Sequence, residues 1–145
     1  MDEAKLSMAQ QVARAAGAYQ QQRTGRAPKA VTAVLSGHTL VITLQDALTP
    51  AEQELAKSPA GAIQVQEFHR QLFADSVDPL RQDIRRITGI DVREAAAEVD
   101  TTTGTVVHAF SNGTMVQVFL LAKGMSQIDW NGDRPRAVSE QEILV

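Results

Sequence analysis

The sequence predicts an α+β domain: an antiparallel sheet of about five strands packed with helices, in the order α-β-β-α-α-β-β-β. Three observations lead there. Apolar residues recur at helical spacing near the start and through the middle of the chain. Two apolar stretches surround tight-turn signals, VLSGHTLV at 34–41 and FSNGTM at 110–115. Helical and extended segments are grouped rather than strictly alternating, which favours helices stacked on an antiparallel sheet over a parallel βαβ fold.

The first element is an amphipathic helix over residues 4–23, with Met8, Val12, Ala15, Ala16 and Tyr19 on one face and Gly25 as its stop. Pro28 biases Ala27 toward extended backbone. A hairpin follows. With Gly37 and His38 as a two-residue turn of type II′, Ser36 faces Thr39, and the pairs Leu35–Leu40, Val34–Val41, Ala33–Ile42 and Thr32–Thr43 follow. One face then carries Val31, Ala33, Leu35, Leu40, Ile42 and Leu44. The other carries Thr32, Val34, Val41 and Thr43, a milder surface open to solvent or to a second subunit.

LTPAEQEL at 48–55 starts the next helix. Thr49 is the N-cap, Pro50 sits where its missing N–H costs nothing, and Glu52 reaches back to the Thr49 amide, a capping box. Ser58-Pro59 repeats the device and opens a long helix over 59–88, along which Phe68, Leu72, Phe73, Val77, Leu80, Ile84 and Ile87 form an apolar stripe. Pro79 lies within it and predicts a kink near Asp75; Gly89 closes it after Arg85 and Arg86.

The remainder reads as β. DVREAAAEVD at 91–100 has helix-favouring composition, but it lies between Gly89 and the turn-like TTTG and precedes a strong strand pair, so a strand is expected. That pair is TVVHAF and MVQVFLLA, joined at Asn112-Gly113, with Phe110 opposite Met115, His108 opposite Gln117 and Val106 opposite Phe119. Both faces are apolar, as in strands that are central or covered on both sides. The domain is expected to span 1–123, and 124–145 is read as a polar C-terminal extension.

Composition narrows the function. The net charge of −3 opposes a general nucleic-acid binder, whose affinity comes from neutralising phosphates. No cysteine is present, so disulfides, thiolate zinc sites and cysteine nucleophiles are excluded, and a cytoplasmic location is expected. The start of the chain, MDEAKLSMAQQ, is acidic and lacks an apolar core, so no leader is expected. MVQVFLLA falls short of the roughly 20 residues that a spanning helix needs, so any membrane role is expected to run through a partner.

Catalytic patterns are absent. His38 sits in a turn, His69 on the long helix beside the stripe and His108 on a strand; none belongs to HExxH or has metal-ligand spacing, and no cofactor or metal is expected. Of these, His108 needs a hydrogen-bonding partner on its apolar face, and Gln117 is placed to provide it. Asp75, Asp78 and neighbouring arginines read as a solvated helix face; with His69, the two aspartates are the candidates for an enzyme of unrecognised type. The Gly25–Lys29 turn sets Arg26 and Lys29 beside exposed backbone, and with His108 these are the candidate small-anion or metabolite ligands. Trp130 and the terminal EILV, ending at Val145, are the candidate partner-binding residues.

The series GRAPKAV, LTPAEQEL, DPLRQDIRRITGIDV and DTTTGTVV resembles the MpsC-like family over roughly residues 5–111. Two features depart from it: Ala27 stands where glycine is usual, and the chain continues past the family domain. The resemblance implies a component of a sodium-translocating, membrane-potential-generating system associated with bicarbonate supply, and it carries no catalytic residues. Together with the residues, it leads to the expectation of a non-enzymatic accessory or regulatory protein. Such a protein would be homodimeric, act through protein–protein contacts and have a membrane protein as partner. The alternative is an anion or metabolite sensor built on the basic turn.

Overall fold

In the computed structural model, which describes residues 6–99 and 113–132, Ser7 opens α1 (Met8–Thr24). Its hydroxyl accepts from the Gln10 amide while the Gln10 side chain caps the Ser7 amide. This capping box has glutamine in the glutamate position. The helix buries Val12, Ala13, Ala16, Tyr19 and Gln20 and ends at Gly25 in the left-handed region.

The chain then enters β1 (Ala30–Ser36) and returns through β2 (Thr39–Gln45) in the expected register, Leu35 against Leu40 and Val34 against Val41. Alternation does the sorting: Leu35, Leu40, Ile42 and Leu44 are fully buried, whereas Val34 is 60% exposed. After the loop through Asp46 come α2 (Pro50–Leu55) and α3 (Pro59–Ser76), each with proline in its first turn and a Thr49 or Ser58 cap.

The long helix expected over 59–88 is two helices. α4 (Asp78–Thr88) begins directly after Val77, which caps both. Pro79 has no N–H for the turn below it and its ring crowds the carbonyl of Asp75, so the ladder restarts with the Arg81 amide donating to the Val77 carbonyl. The restart lets the two halves take different partners, α3 on the sheet at β3 (Val92–Val99) and α4 on α1. The stripe splits accordingly. Phe73, Val77, Leu80 and Ile84 are buried, but Phe68 is 53% exposed and the inward position beside it belongs to His69.

β3 forms as expected despite its alanine and glutamate content, because Ala95 and Ala97 are small residues beneath α3, opposite Phe119 and Gln117. β4 (Met115–Leu121) pairs with β2 on one side and β3 on the other, giving the sheet order β1-β2-β4-β3, four antiparallel strands among the described residues. The expected fifth strand at 105–110 lies outside the described residues. Its pairing with β4 is replaced on the β4 side: Met115 lies between Leu44 and Val99, Gln117 between Ile42 and Ala97, and Phe119 between Leu40 and Ala95. The Asn-Gly signal acts over four residues, whereas β2 pairs with Met115–Leu120 and β3 with β4 as far as Leu121.

The core fills the space between the helices and one sheet face. Phe73 meets Tyr19 and Phe119 edge-on, at centroid distances of 6.3 and 5.9 Å. A short α5 (Gln127–Asn131), beyond the boundary expected at 123, packs on α1 and places Trp130 in this core.

Candidate functional site

His69 is the one histidine among the described residues that lies inside the fold. Its ring is 2% exposed on α3, and Nε2 donates to Glu52 Oε2 at 2.5 Å. Glu52 owes its position to the capping box: Oε1 accepts from the Thr49 amide at 3.0 Å and from the Thr49 hydroxyl at 3.1 Å, while the Glu52 amide donates to Thr49 Oγ1 at 3.2 Å. Burial pushes the Glu52 carboxyl upward, but the hydrogen bonds from His69 and the Thr49 amide outweigh it and hold the group below its ordinary value. The His69 ring is buried, the Glu52 side chain is 16% exposed, and the pair ties α2 to α3.

The other titratable candidates face outward. Asp75 and Asp78 are exposed, and Asp75 accepts from Gln71 one turn earlier. His38 is exposed in the β1–β2 turn, where its carbonyl accepts from the Leu121 amide. An open cleft of about 390 Å³ lies beside Asp78, Arg81, Gln82, Arg85 and Asp91. Both arginines of its lining are engaged, Arg81 with the Val92 carbonyl and Arg85 with Asp91 at 3.0 Å. Among the described residues no group of His, Asp and Glu is spaced to hold a metal.

Arg26, the first candidate anion ligand, holds the turn after β2. Its guanidinium contacts the Asp46 carboxylate at 2.5 Å and the Asp46 carbonyl at 3.1 Å, at a residue with φ of 54°. Lys29 is exposed, and its amide donates to the Gln45 carbonyl. His108 and Val145 lie outside the described residues. Trp130 is 1% exposed, so its indole is a core group of its own chain. Among the described residues, Arg26 is paired with Asp46, Lys29 is exposed and Trp130 is in the core. What sequence reasoning missed is the Glu52–His69 pair and the Arg26–Asp46 pair. The capping box was a signal for the first, since it fixes a carboxylate at a helix start, but nothing in the sequence marks His69 as its partner.

A different feature remains after these assignments, the sheet face turned away from the helices. Across all four strands runs one row, Val34–Val41–Val118–Ala96, whose members are directly paired. All four are exposed or half-buried. Thr43 and Val116 flank the row on one side, Thr39 and Leu120 on the other. The pattern is that of a face half-shielded by its own neighbours and apolar without a cover among the described residues.

Fold and site thus define a class: an α+β domain with helices on one side of an antiparallel sheet, an inward polar pair between two helices and a sheet face without a cover among the described residues. The chain belongs to the family described as Na+-translocating membrane potential-generating system (MpsC), which matches residues 4–113. It is similar to the uncharacterized protein YbcI of Bacillus subtilis (strain 168), with 23% identity over 110 residues, covering 76% of this chain and 89% of that protein. No solved structure matches it.

Proposed function

We propose that this chain is a non-enzymatic accessory or regulatory protein, cytoplasmic and homodimeric, that acts through protein–protein contacts on a Na+-translocating membrane system. The observation that carries the reading is the uncharged Val34–Val41–Val118–Ala96 row, an apolar surface on a face that the helices leave open. Family membership supports the Na+-translocating system as the process. Among the described residues no helix is long and apolar enough to cross a membrane, so in this reading the ion path belongs to the partner. The pairing of His69 with Glu52 and of Arg26 with Asp46 supports this reading, since each of these groups already has a partner within the chain.

Two measurements test it. In cells that lack this chain, the sodium-dependent membrane potential read by a voltage-sensitive dye should drop and recover on complementation; an unchanged potential removes the accessory role. Light scattering of the purified protein at micromolar concentration should give twice the chain mass, and a single-chain mass removes the homodimer.

A further inference from the structure

We propose that the homodimer forms by stacking the open sheet face on its copy, with β1 of one chain over β3 of the other. This rests on the homodimer reading and goes further by naming the surface and its orientation.

Charge selects a second copy as the occupant. A face that meets itself must carry no charge near its centre, since like charges across a twofold axis repel. Here the two central strands carry only threonine, valine and leucine on this face over Thr39–Thr43 and Val116–Leu120, and the two glutamates that the register places on it, Glu94 opposite Leu120 and Glu98 opposite Val116, both stand on the edge strand β3. Size is the second argument. Four strands, three of seven residues and one of eight, spaced about 4.8 Å apart and rising about 3.3 Å per residue, project roughly 450 Å² per copy, so about 900 Å² for the pair before side-chain relief is added. A specific interface needs about 1,000 Å². The face reaches that bound only if all of it is used, which requires aligned stacking rather than contact at one corner.

Shape selects the orientation. A twofold axis along the strands sets Val34, 60% exposed on one edge strand, over the smaller, exposed Ala96 of the copy, and Val41 over Val118. Position 94 then lies over Ser36 of the copy and position 98 over Thr32, so each glutamate position faces a residue with a hydroxyl donor, whereas the other axis would set Glu94 over Glu98. The alternative axis, across the strands, sets Val34 on Val34 and Ala96 on Ala96. It wedges one edge open and leaves a gap at the other, at the cost of close packing.

Two experiments decide it. By light scattering, Val118→Lys should halve the mass of the wild-type dimer while circular dichroism and thermal melting report a folded chain. Val34→Lys repeats the test at a position that is largely solvated in the single chain, should the first variant fail to fold. The chain has no cysteine, so a short bis-maleimide should join Val34→Cys protein to Ala96→Cys protein and should join neither to itself. A dimer that survives both lysine variants overturns the face and leaves the homodimer standing. Self-linking of Val34→Cys overturns the orientation. A monomeric wild type, whether the face is bare or covered by the chain's own residues, overturns both readings.

Discussion

The Glu52 carboxylate serves two helices at once: one oxygen closes the capping box on Thr49 and the other receives Nε2 of the buried His69 at 2.5 Å. α2 buries no residue of its own. Its attachment therefore depends on this carboxylate and on its close approach to the start of α3.

Removing either partner leaves the other's polar group enclosed. Glu52→Ala and His69→Ala should each cost on the order of 3 kcal/mol in urea-melt stability, since an unpaired buried charge is penalised far more than an intact pair is rewarded. For Glu52→Ala the lost cap adds about 1 kcal/mol. A double-mutant cycle should give a coupling above 1 kcal/mol, and additive effects would show that the two groups act independently.

Acid should loosen the same junction. The folded Glu52 carboxyl lies below its ordinary value of 4.5, so near that pH the unfolded chain takes up a proton that the folded chain refuses. Stability from this group is complete above the ordinary value and is lost as pH falls from there through the lowered folded value. Urea melts at pH 6, 4 and 3 should show a decline for the wild type that is shallower in Glu52→Gln. Equal declines would place the acid sensitivity elsewhere.

Gly61 is fixed by space rather than by backbone angle. A Cβ there would stand 1.9 Å from the Leu55 carbonyl oxygen, which is main chain and cannot turn aside. Gly61→Ala should therefore destabilise the fold by about 2 kcal/mol or more, read as a lower midpoint in urea, although alanine is the better helix former. A gain in stability would mean that α2 moves freely over α3.

α5 should be part of the stable body. Trp130→Ala removes a group 1% exposed and should cost about 3–5 kcal/mol, roughly 10 °C in Tm. Ending the chain after Lys123 should do at least as much, because it also removes the Gln127 side chain that donates to the Leu35 carbonyl. An unchanged melt would make α5 dispensable. Arg26→Ala is a contrasting case: the Asp46 pair is 30% and 43% exposed on its two sides, so a loss of no more than about 1 kcal/mol is expected.

By itself the sequence determined whatever rests on neighbours along the chain. The Gly37–His38 hairpin and its register, the Thr49 and Ser58 caps and the helix end at Gly89 all formed as read, because a turn, a cap or an alternation of valine and leucine is settled within a few residues. Tertiary structure decided what rests on competition between distant segments. Pro79 permitted either a kink or a break, and the separate surfaces offered by β3 and α1 made it a break. β4 had a local partner indicated at Asn112-Gly113, yet Leu40–Leu44 and the alanines of β3 hold its edges. His69 and Trp130 read as polar or peripheral until packing enclosed them. Burial is a property of the assembled fold, and a single strand or helix does not carry it.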